Sequence, residues 1–595
     1  MLSEKLPEPR LGSKSTQATL SVSVGQYSDK GRKPVNQDFY GFRVPPEPHL
    51  SSKGIAVALA DGIGSSEVSQ VAAEFAVMGF LDDYYCTSET WSVKKSVERV
   101  LDATNSWLHS RTHQSQYRYD KDRGFVCTLS GLVFKSTTAH VFHVGDTRIY
   151  RLQGGLLEQL TQDHRVRVSD EESYLSRAVG FNPQIEIDYR SLEIERGDIF
   201  VLATDGVYEH VDGRFVAAAI RDAPGRLDEA ARAIVAEAFR RGSGDNLTVQ
   251  IVAVEDVPEH GISELQQQLA RLAPAPLLEA RAEIDGYRIV REIHASARSH
   301  IYLALDLQTE ALVALKTPAT DLQGDHDHLE RFLMEEWIAR RLNSPHVLKP
   351  CPRTRERRFL HVAMEYLEGQ TLAQWMIDNP RPELEKVRGI AEQIARGLQA
   401  FHRMEMLHQD LRPQNIMIDG TGTVKIIDFG SARVAGVSER AGPLERSSIL
   451  GTLQYTAPEY FVGDPGTESS DLYSLGVIVY QMLSGRLPYG AEAARVRTPA
   501  AQRRLQYATL LDEQRDIPAW IDAALRKAVH PDPLERYESL SEFVHDLRHP
   551  NASLLRPTPM VERNPALFWK GVSAVLGLAL LVLLLAKFGL PFRSC

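Results

Sequence analysis

Three side chains late in the sequence have the types and spacing that phosphoryl transfer from a nucleotide requires. HQDLRPQN places Asp410 five residues before Asn415, and IIDFG then supplies Asp428. An aspartate such as Asp410 orients a substrate hydroxyl and takes its proton, while Asn415 and Asp428 offer oxygen ligands that hold Mg2+ against the phosphates. A separate set of aspartates stands in the first half: Asp38 in NQDFYG, Asp61 in LADGIG, Asp205 in LATDGVYE and Asp245 in GSGDNLTV. Each follows an apolar run or precedes a turn, a placement that brings carboxylates from separate strands to one rim. Converging carboxylates without basic partners need cations, and hard oxygen ligands select Mg2+ or Mn2+. A pair of such ions bridging a water lowers its pKa and presents hydroxide to a phosphate monoester.

These groups need rigid elements to hold them. The apolar runs SVSVGQY, GIAVALAD, SGLVF, HVFHVGDTRIYRL, DIFVLATDG and QIVAVED read as strands, and helical spacing runs from Ser66 to Tyr85 and from Trp91 to Ser110. Short strands between Gly/Asp turns, with helices grouped among them, predict an α/β sandwich of layered antiparallel sheets rather than a doubly wound parallel sheet. Further on, YRIVREI, HIYLALD and ALVALKTP read as three strands, followed by helix-rich sequence: a small β-rich lobe on a larger helical one. The 595 residues exceed one core at about 150 residues per domain. The expected division is a disordered start at 1–17, a first domain at 18–256, a Pro- and Ala-containing linker at 257–283, a second domain at 284–548 and a tether at 549–566.

Over about residues 18 to 255 the chain resembles the metal-dependent PP2C (PPM) family of Ser/Thr phosphatases. The resemblance implies a β-sandwich flanked by helices, with Asp38, Asp61, Asp205 and Asp245 around two metals and the Gly62 carbonyl as a further ligand. GDTR matches a family motif and implies that Asp146 helps to hold a third, weaker ion. The sequence departs from the family at Gln37, a neutral residue where Glu is usual, and at Lys33, where the phosphate-binding residue is usually Arg. Lysine offers a point charge in place of a bidentate fork, which Arg32 next door would supplement.

Residues 284 to 548 resemble the Hanks-type Ser/Thr protein kinases, with HxDxxxxN, DFG and APE in order. The resemblance implies that Lys316 in VALK clamps the α- and β-phosphates and that Glu335 in FLMEEWIARRL is its ion-pair partner. Asp471 and Arg536 are similar to the family's late structural positions, and Thr452 and Arg412 to the Ser/Thr class. The nucleotide loop departs most: IHASARSHIY puts His294, Ser296 and Ser299 where glycines are usual, with Ile293 and Ile301 as candidate nucleotide contacts. Gln409 replaces the Arg that usually pairs with a phosphorylated loop, so weak dependence on loop phosphorylation is expected.

Together the two resemblances imply a bifunctional signalling enzyme that phosphorylates proteins on Ser/Thr with ATP and dephosphorylates phospho-Ser/Thr proteins. Two or three Mg2+ or Mn2+ ions would serve the first domain and one or two would accompany ATP in the second. Its own kinase domain is a further expected substrate, held close by the linker. The alternative is a phosphatase carrying a degenerate, nucleotide-binding or scaffolding lobe, as the Gly-less loop would allow.

Composition narrows the partners. A net charge of −10 leaves no broad basic footprint for nucleic acid. Cys86, Cys127, Cys351 and Cys595 are too scattered for a disulfide framework or a metal knuckle, and MLSEKLPEPRLGSK lacks the apolar run of a signal peptide. The stretch 567–590 is apolar apart from Lys570 and Lys587, which predicts a C-terminal transmembrane helix with the catalytic domains in the cytoplasm.

Overall fold

The computed structural model describes residues 19–167, 173–258, 272–322, 324–352, 355–438, 454–490, 492–493, 496, 498–511, 517–551, 553–554 and 565–587. The N-terminal strands are β1 (Ser21–Asp29), β2 (Phe39–Arg43), β3 (Ile55–Ala60), β4 (Leu129–Lys135), β5 (Thr138–Val144), β6 (Arg148–Gln153) and β7 (Leu156–Gln159). They continue as β8 (Arg165–Arg167), β9 (Ser173–Leu175), β10 (Asp188–Glu193), β11 (Ile199–Ala203) and β12 (Leu247–Asp256). One sheet has the order β1-β12-β11-β6-β7, the other β10-β5-β4-β3-β2, and their strands pair antiparallel.

Strand alternation distributes the apolar side chains between layers. Along β3, Val57 and Leu59 enter the core between the sheets with Leu132, Phe134, Phe200 and Val252. Ala56, Ala58 and Ala60 face the other way, against Phe80, Val97 and Leu101 of helices Ser69–Cys86 and Val93–Gln114. Helices Gly213–Asp222 and Leu227–Arg240 cover the outer face of the first sheet through Val216, Ile220, Ile234 and Val235. The second helix of the first pair starts where its cap allows, with the Ser92 hydroxyl accepting from Lys95 N–H at 3.2 Å.

Three longer strands of the second domain, Tyr287–Ala295, Ser299–Asp306 and Leu312–Pro318, pair antiparallel in one sheet with Val362–Glu365. Residues 272–283, read as linker, also contribute here: Ala273–Pro274 pairs in parallel with Phe359–Leu360, and Ala275 and Leu278 are buried in the sheet's core. Short-range apolar content, without periodicity, hid this segment in the sequence.

The chain forms two compact units, the first Met1–Leu372, Arg396–Asp410 and Gln414–Gly451 and the second Ala373–Ala395, Leu411–Pro413 and Thr452–Cys595. The first unit joins both domains by specific bonds. Trp91 Nε1 donates to Arg403 O at 3.0 Å, Ser92 N–H to Glu405 Oε2 at 2.6 Å and Gly436 N–H to Thr90 O at 3.0 Å. Lys135, buried at the end of β4, donates to Gly436 O at 2.7 Å, and Arg341 pairs with Glu89 at 2.8 Å. A Cβ on Gly436 would lie within 3 Å of three backbone oxygens, those of Glu89, Thr90 and Trp91, so only glycine fits this junction.

The second unit is built on helix Glu468–Ser484, which begins with a Thr467/Ser470 capping box and ends at Gly485 in the left-handed region. Asp471 is buried in its first turn. Arg536 forms a buried fork with Glu459, at 2.8 and 2.7 Å to its two oxygens, while Ser470 donates to Glu459 Oε1.

The expected membrane anchor is not supported. A C-terminal helix forms over Pro565–Lys587, yet among the described residues no helix is long and apolar enough to cross a membrane. The transmembrane helix at 567–590 and the membrane localisation are therefore withdrawn; 588–590 lie outside the described residues.

Removing one partner of a buried ion pair strands the other charge, at a cost of about 3–5 kcal/mol. Arg536→Met is therefore expected to destabilise the second unit by that amount in urea unfolding. A midpoint unchanged from the parent would contradict the buried fork.

Candidate active sites

In the first domain, strand ends bring the predicted aspartates toward one rim. Asp38 precedes β2, Asp61 ends the β3 run, Asp205 opens the short helix after β11, and Asp245 precedes β12. Asp38 Oδ2 accepts from Thr248 Oγ1 at 2.6 Å and Thr204 Oγ1 at 3.2 Å, but its buried Oδ1 has no hydrogen-bond partner. Gly62 follows Asp61 with no room for a side chain: a Cβ there would lie 2.9 Å from Gln37 O and from Ser69. Gln37, at the departure noted above, spends its amide on Ser66 O and Ser69 Oγ at 2.6 and 2.8 Å.

The electrostatics of this rim are those of a site short of positive charge. Burial pushes Asp38 up to about 6, against the hydroxyls that favour its charged form. Burial, then the nearby Asp146 and Asp245, raise Asp205 to about 7. Asp61 is raised well above the carboxylate range by burial and then by Asp38, Asp205 and Asp146. The donor set at Asp38, Asp61 and Asp205 is all hard carboxylate oxygen, one of them orphaned, the kind of ligand that divalent cations take. As they stand, no three His, Cys, Asp or Glu side chains among the described residues are grouped to hold an ion.

Two of the chain's own cations stand among these carboxylates. Lys33 Nζ lies 3.0 Å from Asp245 Oδ1. Arg165, on β8, contacts Asp146 through Nε, Asp205 at 2.7 Å and Glu209 at 2.9 Å. Arg32 points elsewhere, over the ring of Phe239. Thr204, Glu209 and Thr248 lie inside the strings that carry Asp205 and Asp245 but are not singled out there, and Arg165, outside every such string, reaches the rim from β8.

In the second domain, Lys316 Nζ is 2.6 Å from Glu335 Oε2 and 3.7 Å from Asp428 Oδ1. The helix His326–Arg341 carries Glu335 inward, and its Asp325 cap accepts from His328 N–H. Burial opposes both charges of the pair. It prevails at Glu335, whose carboxyl is pushed up to about 7, and fails at Lys316, where Asp428 and Glu335 hold the ammonium above its usual range. Asn415 Nδ2 donates to Asp410 O at 2.9 Å and Oδ2 at 3.2 Å, which ties the two side chains together. Gly430 N–H donates to Asp428 Oδ1 at 3.1 Å, and Gln409 adopts a φ of 65° just before Asp410.

The Gly-less loop is closed by its own side chain. Ser296 Oγ accepts from the N–H groups of Arg298 and Ser299 at 3.3 and 3.1 Å and donates to Ser299 O. A hydroxyl thereby takes up amides that glycines would leave open to phosphate. His328, on the helix that carries Glu335, bonds to Arg298 O at 2.9 Å and ties the loop to that helix. Ile301 is directly opposite Lys316 in the strand register, whereas Ile293 falls in a bulge between Glu292 and His294. Thr452 lies outside the described residues.

A sandwich rimmed by carboxylates and a second domain with a buried Lys–Glu–Asp cluster define a two-domain protein of phosphate chemistry. Residues 26–243 match the protein phosphatase 2C family and residues 287–558 the protein kinase domain family, so the chain carries one domain of each. It is 29% identical over 270 residues to serine/threonine-protein kinase PrkC of Bacillus subtilis, covering 44% of this chain and 40% of that protein. It is 34% identical over 214 residues to serine/threonine-protein kinase PknA of Corynebacterium glutamicum, covering 35% and 45% respectively. The solved Mycobacterium tuberculosis serine/threonine phosphatase PstP/Ppp is 21% identical with a TM-score of 0.34, covering 39% of this chain and 99% of that one. The chain spans less than half the length of these curated kinase relatives.

Glu335 forms an ion pair with Lys316 only as a carboxylate, and burial pushes its carboxyl up to about 7. The ionised fraction is full above that pH and falls roughly tenfold per pH unit well below it. ATP-dependent phosphoryl transfer is therefore expected to decline from pH 8 toward pH 5.5. An initial-rate profile flat across that range would contradict the assignment.

Proposed function

We propose that the chain is a bifunctional signalling enzyme, a Ser/Thr protein kinase and a metal-dependent Ser/Thr protein phosphatase in one polypeptide. The observation that carries this reading is the Lys316–Glu335 pair at 2.6 Å with Asp428 alongside, in a chain whose other domain holds an orphaned Asp38 oxygen among raised carboxyls. Domains of these two families act on proteins, the kinase with ATP and Mg2+ or Mn2+ and the phosphatase with Mg2+ or Mn2+ alone.

For the kinase reaction, Lys316 would hold the α- and β-phosphates while Glu335 fixes the ammonium in place. Asp410 would accept the substrate hydroxyl proton, its carboxylate steadied by Asn415, and Asn415 and Asp428 are the oxygen donors for Mg2+. Ile301, across from Lys316, is placed to meet the nucleotide; Ile293 would reach it only from the bulge. The closed Ser296 turn offers few free amides, so phosphate binding rests on Lys316 and the metal ligands. A lobe that only binds nucleotide or acts as a scaffold is not favoured, because the Lys–Glu pair and both metal ligands are kept.

For the phosphatase reaction, Asp38, Asp61, the Gly62 carbonyl, Asp205 and Asp245 are the residues that would hold divalent ions. Such ions, when bound, supply an activated water for attack on a phosphate monoester. Lys33, beside Asp245, would receive the phosphate of the substrate, and Thr204 and Thr248 keep Asp38 oriented toward the rim.

Assays of the full chain test both halves. Asp205→Asn is expected to abolish Mn2+-dependent hydrolysis of a phosphopeptide, by at least about 100-fold, while leaving phosphoryl transfer from labelled ATP to a generic basic protein. Asp410→Asn should do the reverse. Two variants that each retain both activities would refute the site assignments.

A further inference from the structure

Asp146 is the residue expected to hold a third ion, and Arg165 stands in its way. The three nitrogens of the guanidinium each reach a different carboxylate: Nε reaches Asp146 Oδ2, Nη2 reaches Asp205 Oδ2 at 2.7 Å and Nη1 reaches Glu209 Oε1 at 2.9 Å. Asp146 and Asp205 are thus already bridged by a cation that the chain itself provides.

This arm is anchored. The preceding residue, His164, donates its N–H to Gly145 O at 2.7 Å and accepts from Gly145 N–H through Nδ1 at 3.1 Å. Its Nε2 lies 3.0 Å from Asp188 Oδ2, and Ser176 N–H donates to its carbonyl. The backbone at Arg165 is therefore stitched to the strand end that carries Asp146, whose own carbonyl accepts from Tyr208 Oη at 2.9 Å. Arginine stays charged at any pH at which the protein is folded, and its planar fork matches carboxylate pairs that a compact ammonium would not.

We propose that Arg165 takes the place of a third metal ion between Asp146 and Asp205, so that the phosphatase domain binds two divalent ions and no third. The inference rests on the reading of the rim as a metal site and adds that its third position is met by a fixed organic cation. Asp146 then acts as a partner of Arg165 and not as a ligand. Asp205, shared by both, is held by the guanidinium on one side and left to the ions on the other.

The test is the number of Mn2+ ions bound per full-length chain, counted by calorimetry and by elemental analysis after gel filtration, without nucleotide. The parent protein is expected to bind two, and Asp146→Asn is expected to bind two as well, because it removes no ligand. Arg165→Ala should gain a third, weaker ion, and the double variant Arg165→Ala/Asp146→Asn should lose it again. A parent that binds three ions, one of them lost in Asp146→Asn, would overturn the role of Arg165 while keeping the metal site. A parent that binds none would overturn the inference together with the metal reading. Should Arg165→Ala fail to fold, the parent and Asp146→Asn alone decide the matter.

Discussion

Both domains are organised around negative charge that has been taken out of water. A carboxylate in a low-dielectric setting is costly unless a cation or hydrogen-bond donors face it, and several together multiply the cost. The first domain buries Asp38, Asp61, Asp146 and Asp205, and burial raises each carboxyl, with neighbouring aspartates adding to the rise. The second buries Glu335 and meets it with Lys316. The layered sheets, the inward helix of Glu335 and the hydroxyls of Thr204 and Thr248 are the scaffolding that keeps these acids together against their repulsion.

The two solutions differ in kind. In the kinase domain the compensating ammonium belongs to the chain and sits on a central strand, opposite Ile301 and Val362, and it meets one oxygen of Glu335 while the buried Oε1 stays without a hydrogen-bond partner. In the phosphatase domain compensation is only partial: Lys33 and Arg165 reach Asp245, Asp146 and Asp205, while Asp38 keeps an unsatisfied oxygen.

Much of this was legible in the sequence where signal and physics are local. GIAVALAD became β3, with its alternation splitting cleanly between two cores, and the run HVFHVGDTRIYRL became β5 and β6 joined at Gly145. The spacing of Asp410, Asn415 and Asp428 led to residues that lie together, as did Lys316 and Glu335. What escaped was non-local or lacked periodicity. Arg165 is 40 residues from Asp205 and meets it only because β8 turns back across the rim. Residues 273–278, APAPLL, are apolar but broken by two prolines and so lack a strand period, yet Phe359–Leu360 pairs in parallel with Ala273–Pro274. The apolar C-terminus erred in the other direction, because composition there was read as a span that the described helix does not provide.

The stitch between Thr90, Lys135 and Gly436 has an engineering corollary. Gly436 lies eight residues after Asp428, and Lys135 ends a strand whose other end leads to Thr128, the hydroxyl that supports Asp61. Chimeras that exchange either half for a relative's would need to carry both faces of this seam. A foreign partner with any side chain at position 436 would be wedged apart by the three carbonyls that now close on it.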